Sequence, residues 1–424
     1  MPFSAVGSSS RRSLFRNAVR AASTWTAMSA LLKAASASAT PNNEDFWRLV
    51  KKQFPLEDGL LYFNAANICP ASRGVLDKHA EYLRDFEANP SFQNRAKYTA
   101  LRTRLRGKLA DLLHAKPSEI TLTRNTSESN NLIVHGLDFQ PGDEVLITAH
   151  NHPSNESSWK VRASREKFVV KTLPVPVPGA SKDAIVEQFK KAITPRTRVI
   201  SVSHVTNTAG LQFPAKELAA LAHSNGNIWF HLDGAQSFGA LRVDLAGIGC
   251  DSYSSSTHKW AMGPLEAGIL YIRSERQAQV WPSVVSAGWS DSLTGADRLE
   301  VFGQRDDPRL VALEPAVDFL NLIGMDQVEA RLRYLTKSLN EKMRALPGVT
   351  VRTNLESELS GGVVKVVAGN GSPGAQNKRL WDSKRIAIAA TESGDASGLR
   401  FSPHIYNTMD EIDEAVRAVK SVLA

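Results

Sequence analysis

Ile228-Trp229-Phe230-His231-Leu232-Asp233-Gly234-Ala235-Gln236-Ser237 is the stretch that decides the reading of this chain. The run Ile228 to Leu232 does not alternate polar and apolar residues, as a strand with one wet face would; it reads as a central strand covered on both sides. Four further segments carry strand signals: Glu144 to Thr148, Phe168 to Leu173, Arg198 to His204 and Gly268 to Arg273. Helical patterns fall between them, over Lys182 to Ala192 and Ala215 to His223, and Pro174, Pro176 and Pro178 mark a loop. Strands alternating with helices predict an α/β fold with a large, mainly parallel sheet, and Asp233 then stands at the C-terminal end of a strand, where such sheets bind ligands. From about residue 312 the pattern changes to a long helical stretch, Ala316 to Leu346, with a break at Gly324. Strand-like Val349 to Thr353 and Gly362 to Val367 follow, with a closing helix from Met409 to Val422. The order predicts a smaller C-terminal α+β domain. The expected division is a leader at 1–39, an N-terminal segment at 40–75 packing with the small domain, a large domain at 76–311 and the small domain at 312–424.

Twenty-six residues after Asp233, the run Ser254-Ser255-Ser256-Thr257-His258 ends in Lys259. A lysine placed at the end of an apolar strand can lose its proton and form an imine with an aldehyde cofactor, and a buried carboxylate can keep a ring nitrogen protonated. Together they read as a site for pyridoxal 5'-phosphate (PLP). Either residue alone would more simply be an exposed lysine or a turn aspartate. The remaining parts of such a site occur at compatible places. Arg124-Asn125-Thr126-Ser127-Glu128 precedes a helical pattern through Leu132 to Leu137, which predicts Thr126 or Ser127 as the N-cap and a cluster of hydroxyls and backbone N–H groups suited to phosphate. His150-Asn151-His152-Pro153 follows the strand at Glu144 to Thr148 and can deliver an aromatic ring. A histidine pair also suggests metal, but no third ligand recurs nearby, so no metal site is expected.

Four motifs complete the pattern: Ser203-His204-Val205-Thr206-Asn207, His231 to Ser237, Ser256-Thr257-His258-Lys259, and Leu399-Arg400-Phe401-Ser402-Pro403-His404. With them the chain resembles, over roughly residues 55 to 424, the class V aminotransferase family of fold-type I PLP-dependent enzymes, in its isopenicillin N epimerase-like and cysteine desulfurase-like branches. The resemblance implies that Lys259 is the Schiff-base lysine, Asp233 the partner of the pyridine nitrogen and His152 the stacking ring. It further implies that Asn207 and Gln236 bond the ring-hydroxyl side, and that Thr126, Ser127, Ser256 and His258 hold the phosphate. Arg400 would bind the substrate α-carboxylate, whose shape a guanidinium fork matches, and Asn64 would line the substrate side. The loop Gly303-Gln304-Arg305-Asp306-Asp307 resembles one that family dimers lend to the neighbouring active site, with Gln304 where a threonine is usual. A homodimer is therefore expected.

These parts serve transamination, epimerisation and β- or C–S elimination alike. Aminotransferase-like chemistry on an amino acid or amino-acid-containing peptide is the preferred expectation, and a cofactor-free binding protein on the same fold the rival class. The stretch 390–398 before Arg400 contains no cysteine, where family desulfurases carry a nucleophilic thiol, so desulfuration is expected to be absent. No G-x-G-x-x-G opens any strand, which speaks against a nicotinamide enzyme.

The N-terminus makes a separate argument. Ser10-Arg11-Arg12-Ser13-Leu14-Phe15-Arg16 resembles a twin-arginine export signal, Ala21 to Leu32 a short apolar region, and Ala37-Ser38-Ala39 a cleavage site. Twelve apolar residues cannot span a bilayer, so no membrane anchor is expected. A folded, periplasmic enzyme is expected, with a cytoplasmic one as the alternative. The export setting resembles that of the PLP enzyme of pyoverdine siderophore maturation. The leader carries five cations and no carboxylate, so the formal charge of +8 falls to +3 without it, and no basic cluster suggests nucleic acid as a partner. Two cysteines, Cys69 and Cys250, exclude a disulfide scaffold, and Cys250 is expected in the core.

Overall fold

The computed structural model describes residues 30, 32–35, 39–354, 357–392 and 397–423. The twin-arginine motif and most of the 1–39 leader lie outside them. Of the leader's described residues, Leu32, Ala35 and Ala39 are buried against the main core.

Seven strands form the large sheet. They are β2 (Ile120–Thr123), β3 (Glu144–Thr148), β4 (Val169–Leu173), β5 (Thr197–Ser203), β6 (Trp229–Asp233), β7 (Ser252–Ser256) and β8 (Gly268–Ile272), and β1 (Leu61–Tyr62) lies outside this sheet. Their spatial order is β2-β8-β7-β6-β5-β3-β4, and β8 alone runs against the rest. β6 is central and wholly buried, as its apolar run predicts. The strand leading to Lys259 is not apolar: β7 reads Ser252-Tyr253-Ser254-Ser255-Ser256, and it ends three residues earlier. It tolerates full burial because its hydroxyls find partners. Ser255 Oγ donates to the Gly234 carbonyl at 3.2 Å, and Ser252 and Ser254 join side-chain bonds described below.

The small sheet is antiparallel, ordered β12 (Ala389–Thr391), β13 (Gly398–Phe401), β10 (Val364–Ala368), β9 (Val349–Val351), while β1 pairs in parallel with β11 (Ile386–Ala387). Phe63, Leu335, Leu339, Val364, Val366 and Phe401 belong to its core. The helices Glu314–Ile323 and Met325–Arg344 are divided at Gly324, whose φ of +90° suits glycine. Leu313 to Leu332 pack into the core of the large sheet, and the small core begins with Leu335. The N-terminal segment joins the two. Phe46 and Trp47 enter the large core, β1 extends the small domain, and Arg48 pairs with Asp410 at 2.9 Å. Both cysteines are free and buried.

Lys365 in the small domain has no acid partner among the described residues. Lys365, only 1% exposed, donates from Nζ to the Gly398 carbonyl at 3.1 Å and stands opposite Arg400 in the β10–β13 ladder. Burial, reinforced by Arg400 and Arg352, lowers its pKa from 10.5 to about 8. Below pH 8 both folded and unfolded chains carry this proton and the cost of burying it is present in full. Between about 8 and 10.5 the folded chain sheds it first, so stability rises with pH. Lys365→Met is therefore expected to raise thermal stability at pH 7 by on the order of 1–3 kcal/mol. That gain should shrink towards zero as the pH approaches 10.5, which melting curves at a series of pH values would check.

Candidate active site

The C-terminal ends of β3, β5, β6 and β7 deliver the groups that the sequence singled out. Asp233 closes β6 and is 2% exposed. Its Oδ1 accepts the Ala235 N–H at 3.0 Å and its Oδ2 accepts from Asn130 Nδ2 at 3.0 Å. Gly234 follows because nothing larger fits: a Cβ there would lie 2.0–2.2 Å from the Tyr253 ring. Lys259 lies just past β7. Burial lowers its pKa, against an opposing pull from Asp233, and Arg400 lowers it further. A lysine so placed carries a reactive free amine more readily than a surface lysine does.

His152 is the N-cap of the helix Pro153–Glu166, where its Nδ1 accepts the Ser154 N–H at 3.2 Å and meets Ser154 Oγ at 2.7 Å. Asn151 fixes the preceding turn, with Oδ1 accepting from Thr148 Oγ1 at 2.9 Å and Nδ2 donating to the Ser201 carbonyl at 2.9 Å. Burial lowers the pKa of His152, and the charges of Lys259, Asp233 and Arg400 all reach it, so the four residues share one site. His150 points elsewhere and bonds the Val175 carbonyl at 2.6 Å.

The start of the helix Thr126–Gly136 corrects one expectation. Its N-cap is Asn125, whose side chain accepts from Glu128 N at 2.9 Å, so Thr126 and Ser127 occupy the first two helical positions. The shift keeps them suited to an anion, since the first turn presents N–H groups without helical acceptors. Thr126 is tied to β7, with its N–H donating to Ser256 Oγ at 2.8 Å and its Oγ1 2.7 Å from the same atom. Ser127 is exposed. Gly268 allows this approach, because a Cβ there would meet the Asn125 backbone at 2.7 Å. His258 Nδ1 is buried without a hydrogen-bond partner, and burial lowers that ring's pKa to about 4. A neutral imidazole with an unused polar atom, two hydroxyl side chains and a helix start together fit a phosphate group.

On the substrate side, Arg400 in β13 donates to the Asn207 carbonyl at 3.1 Å and to Asn64 Oδ1 at 3.0 Å, while its Nε is buried and unpartnered. No carboxylate among the described residues forms an ion pair with it. Glu392 is turned away, accepting from Gly374 N at 2.8 Å and Ser372 Oγ at 3.1 Å, and Asp395 lies outside the described residues. Asn64 is set by its bridge to Ser402. Asn207 engages Arg400 through its backbone. Gln236 already accepts from Trp260 Nε1 at 2.8 Å and donates to the Ala66 carbonyl at 2.9 Å, which leaves it one N–H for a ligand. Gln304 is exposed, and its Oε1 accepts from Arg95 at 2.9 Å rather than meeting any residue around Lys259 in the same protomer.

The sequence reading assigned no role to Asn130, Ser252, Ser254 or the His231 side chain. Periodicity could have found them. His231 and Asp233 share a face of β6, Ser252 and Ser254 the matching face of β7, and Asn130 lies one helical turn beyond Thr126. Nor did the sequence reading place Cys69 at the site, where the Cys69 N–H donates to the His258 carbonyl at 2.7 Å beside Lys259, with Sγ 3.7 Å from the Tyr406 hydroxyl. Burial pushes that thiol's pKa well up, so it is held as a thiol.

Comparison with known proteins identifies the family. The family described as Aminotransferase class-V matches residues 61–415, and the chain belongs to that family. Isopenicillin N epimerase of Amycolatopsis lactamdurans is 30% identical over 394 residues, covering 89% of this chain and 98% of that protein. A probable cysteine desulfurase of Methanothermobacter thermautotrophicus is 27% identical over 389 residues, covering 86% and 94%. In three dimensions, a C-DES variant with glycine covalently linked to its PLP cofactor superposes with a TM-score of 0.80 at 23% identity, covering 87% of this chain and 98% of that one. The fold is that of fold-type I PLP enzymes and the cofactor is PLP. The expected absence of cysteine desulfuration is not supported, because relatives named as desulfurases match most of this chain. One missing thiol in the stretch before Arg400 is too narrow a ground for excluding it.

Borohydride reduction of PLP-loaded protein followed by peptide mapping is expected to mark the peptide carrying Lys259, and Lys259→Ala to remove the mark. A label on any other lysine would reject the assignment.

Proposed function

We propose that this chain is a PLP-dependent enzyme of aminotransferase type acting on the amine of an α-amino acid or of a peptide that carries one. The observation that supports this most is Arg400, a half-buried guanidinium with a buried, unpartnered Nε and no acid partner among the described residues, near Lys259, Asp233 and His152. Leaving such a charge uncompensated is costly, and a substrate carboxylate held by the fork relieves it. Bound PLP supplies an electron sink for the bond that breaks at the substrate Cα. The protein's part is then positional. Arg400 anchors the carboxylate, with Asn64 and the Asn207 carbonyl fixing the fork. Asp233 would offer its carboxylate to the ring nitrogen, His152 would cover the ring, and Lys259, whose pKa burial lowers, would take and return the Cα proton.

A second reading is epimerisation, favoured by the isopenicillin N epimerase relatives that match nearly end to end. The same proton transfer by Lys259 serves both reactions. Release of an oxo acid marks transamination, whereas inversion of configuration at Cα with the amine retained marks epimerisation.

Arg400→Lys keeps the charge but loses the fork, and it is expected to raise KM for reactive α-amino acids at least about tenfold, roughly 1.4 kcal/mol. Amines that lack the carboxylate should show no such change. Equal KM for the two proteins on every α-amino acid substrate would show that Arg400 is not the clamp.

The active unit in this reading is a homodimer. Gln304 lines a crevice with Arg124, Glu128, Val284 and Arg309 beside the start of the helix Thr126–Gly136, and Trp281 and Val285 nearby in sequence are 60% and 56% exposed. A second copy would cover these apolar residues and bring its own Gln304 loop to the phosphate side. Sedimentation at micromolar concentration is expected to give a dimer, and a fully active monomer would refute it.

A further inference from the structure

Behind Asp233 runs a continuous line of buried side-chain hydrogen bonds. Asn130 Nδ2 donates to Asp233 Oδ2 at 3.0 Å, and the Asn130 carbonyl oxygen meets His231 Nε2 at 2.9 Å and also accepts from Ser254 Oγ. His231 Nδ1 lies 2.7 Å from Ser252 Oγ, which takes the Trp229 indole N–H at 2.8 Å. His231, Asn130, Ser252 and Ser254 are all 0% exposed.

The chemistry of the two ends fixes the direction of every bond. A carboxylate only accepts, so Asn130 turns its N–H to Asp233 and its oxygen away. That oxygen also only accepts, so His231 carries its proton on Nε2 and Nδ1 takes the Ser252 hydroxyl proton. Burial lowers the pKa of His231 to about 4, in keeping with a neutral ring. Two donors on the Asn130 oxygen polarise the amide and strengthen its N–H towards Asp233, as hydrogen bonds in series do at low dielectric. Hydrogen bonds donated to a carboxylate favour its charged form.

We propose that Asn130 and His231 are positioning residues for the cofactor ring nitrogen: as a neutral amide–imidazole relay they hold the Asp233 carboxylate aimed and hydrogen-bonded without forming an ion pair with it. A cation there would compete with the protonated ring for the same oxygens. The proposal rests on the assignment of Asp233 as the ring-nitrogen partner.

The test compares PLP with its analogue in which CH replaces the ring nitrogen, both titrated into apoprotein by quenching of tryptophan fluorescence. The aldehyde and phosphate are common to both ligands, so only the ring-nitrogen contact differs. Asn130→Ala and His231→Phe are expected to weaken PLP binding about tenfold, roughly 1.4 kcal/mol. Binding of the analogue should change by less than about twofold, within the roughly 0.4 kcal/mol that the same relation assigns to that factor. His231→Gln, which can present an N–H to Asn130, should recover most of the loss. Equal weakening of both ligands would mean that the residues only support packing, and unchanged PLP binding would also overturn the relay. Should His231→Phe fail to fold, Asn130→Ala and His231→Gln decide the matter. Asp233→Ala separates the two levels. If it too treats both ligands alike, the assignment of Asp233 fails; if it discriminates and the relay variants do not, the relay alone fails.

Discussion

A carboxylate buried without a cation is the constraint on which the site depends. Asp233 is 2% exposed and forms no ion pair with any described residue, although Lys259 and Arg400 are near enough to feel one another's charge. A direct ion pair would have been the simpler way to bury it. Instead the charge is carried by hydrogen bonds, one from the backbone of Ala235 and one from Asn130. Much follows from that choice. The helix Thr126–Gly136 has to lie against β6 and β7 to bring Asn130 in, which also brings Thr126 to Ser256. The serines of β7 can be buried because this polar interface gives them partners. The oxygens of Asp233 are left able to accept another donor, and neither Lys259 nor Arg400 forms an ion pair with a described carboxylate.

Arg400 plays the corresponding part between the two sheets. Its guanidinium ties the N-terminal segment at Asn64, the loop after β5 at Asn207 and the small-domain strand β13. Three regions distant in sequence are thereby held on one planar group. The planar fork makes this possible, since a lysine in its place could not satisfy both acceptors in fixed directions.

The large sheet was legible because its central strands are apolar runs bounded by helices, and β3, β5, β6 and β8 fall within a residue or so of their expected ends. The helices Lys182–Ala192 and Met409–Leu423 follow from periodicity, and the break at Gly324 from the absence of a side chain. β7 misled, because serine carries no apolar signal; its burial depends on hydrogen-bond partners that come from other elements. The N-cap at Asn125 was displaced by one residue, since Asn125, Thr126 and Ser127 are all competent caps and only the position of β7 selects among them. For the site, residue type and motif sufficed to gather Lys259, Asp233, His152 and Arg400. They did not reveal Asn130 or His231, whose importance lies in being aligned with one another across a helix and two strands.

The bond between Asn64 and Arg400 joins residues 336 positions apart, and that between Asn130 and Asp233 spans 103. Contacts of such separation form late, because the entropy of closing long loops opposes them until most of the chain has condensed. The substrate anchor is therefore complete only once β13 has docked, so a carboxylate-bearing substrate acts as a ligand of the finished fold, shifting the balance between native and unfolded chains by mass action.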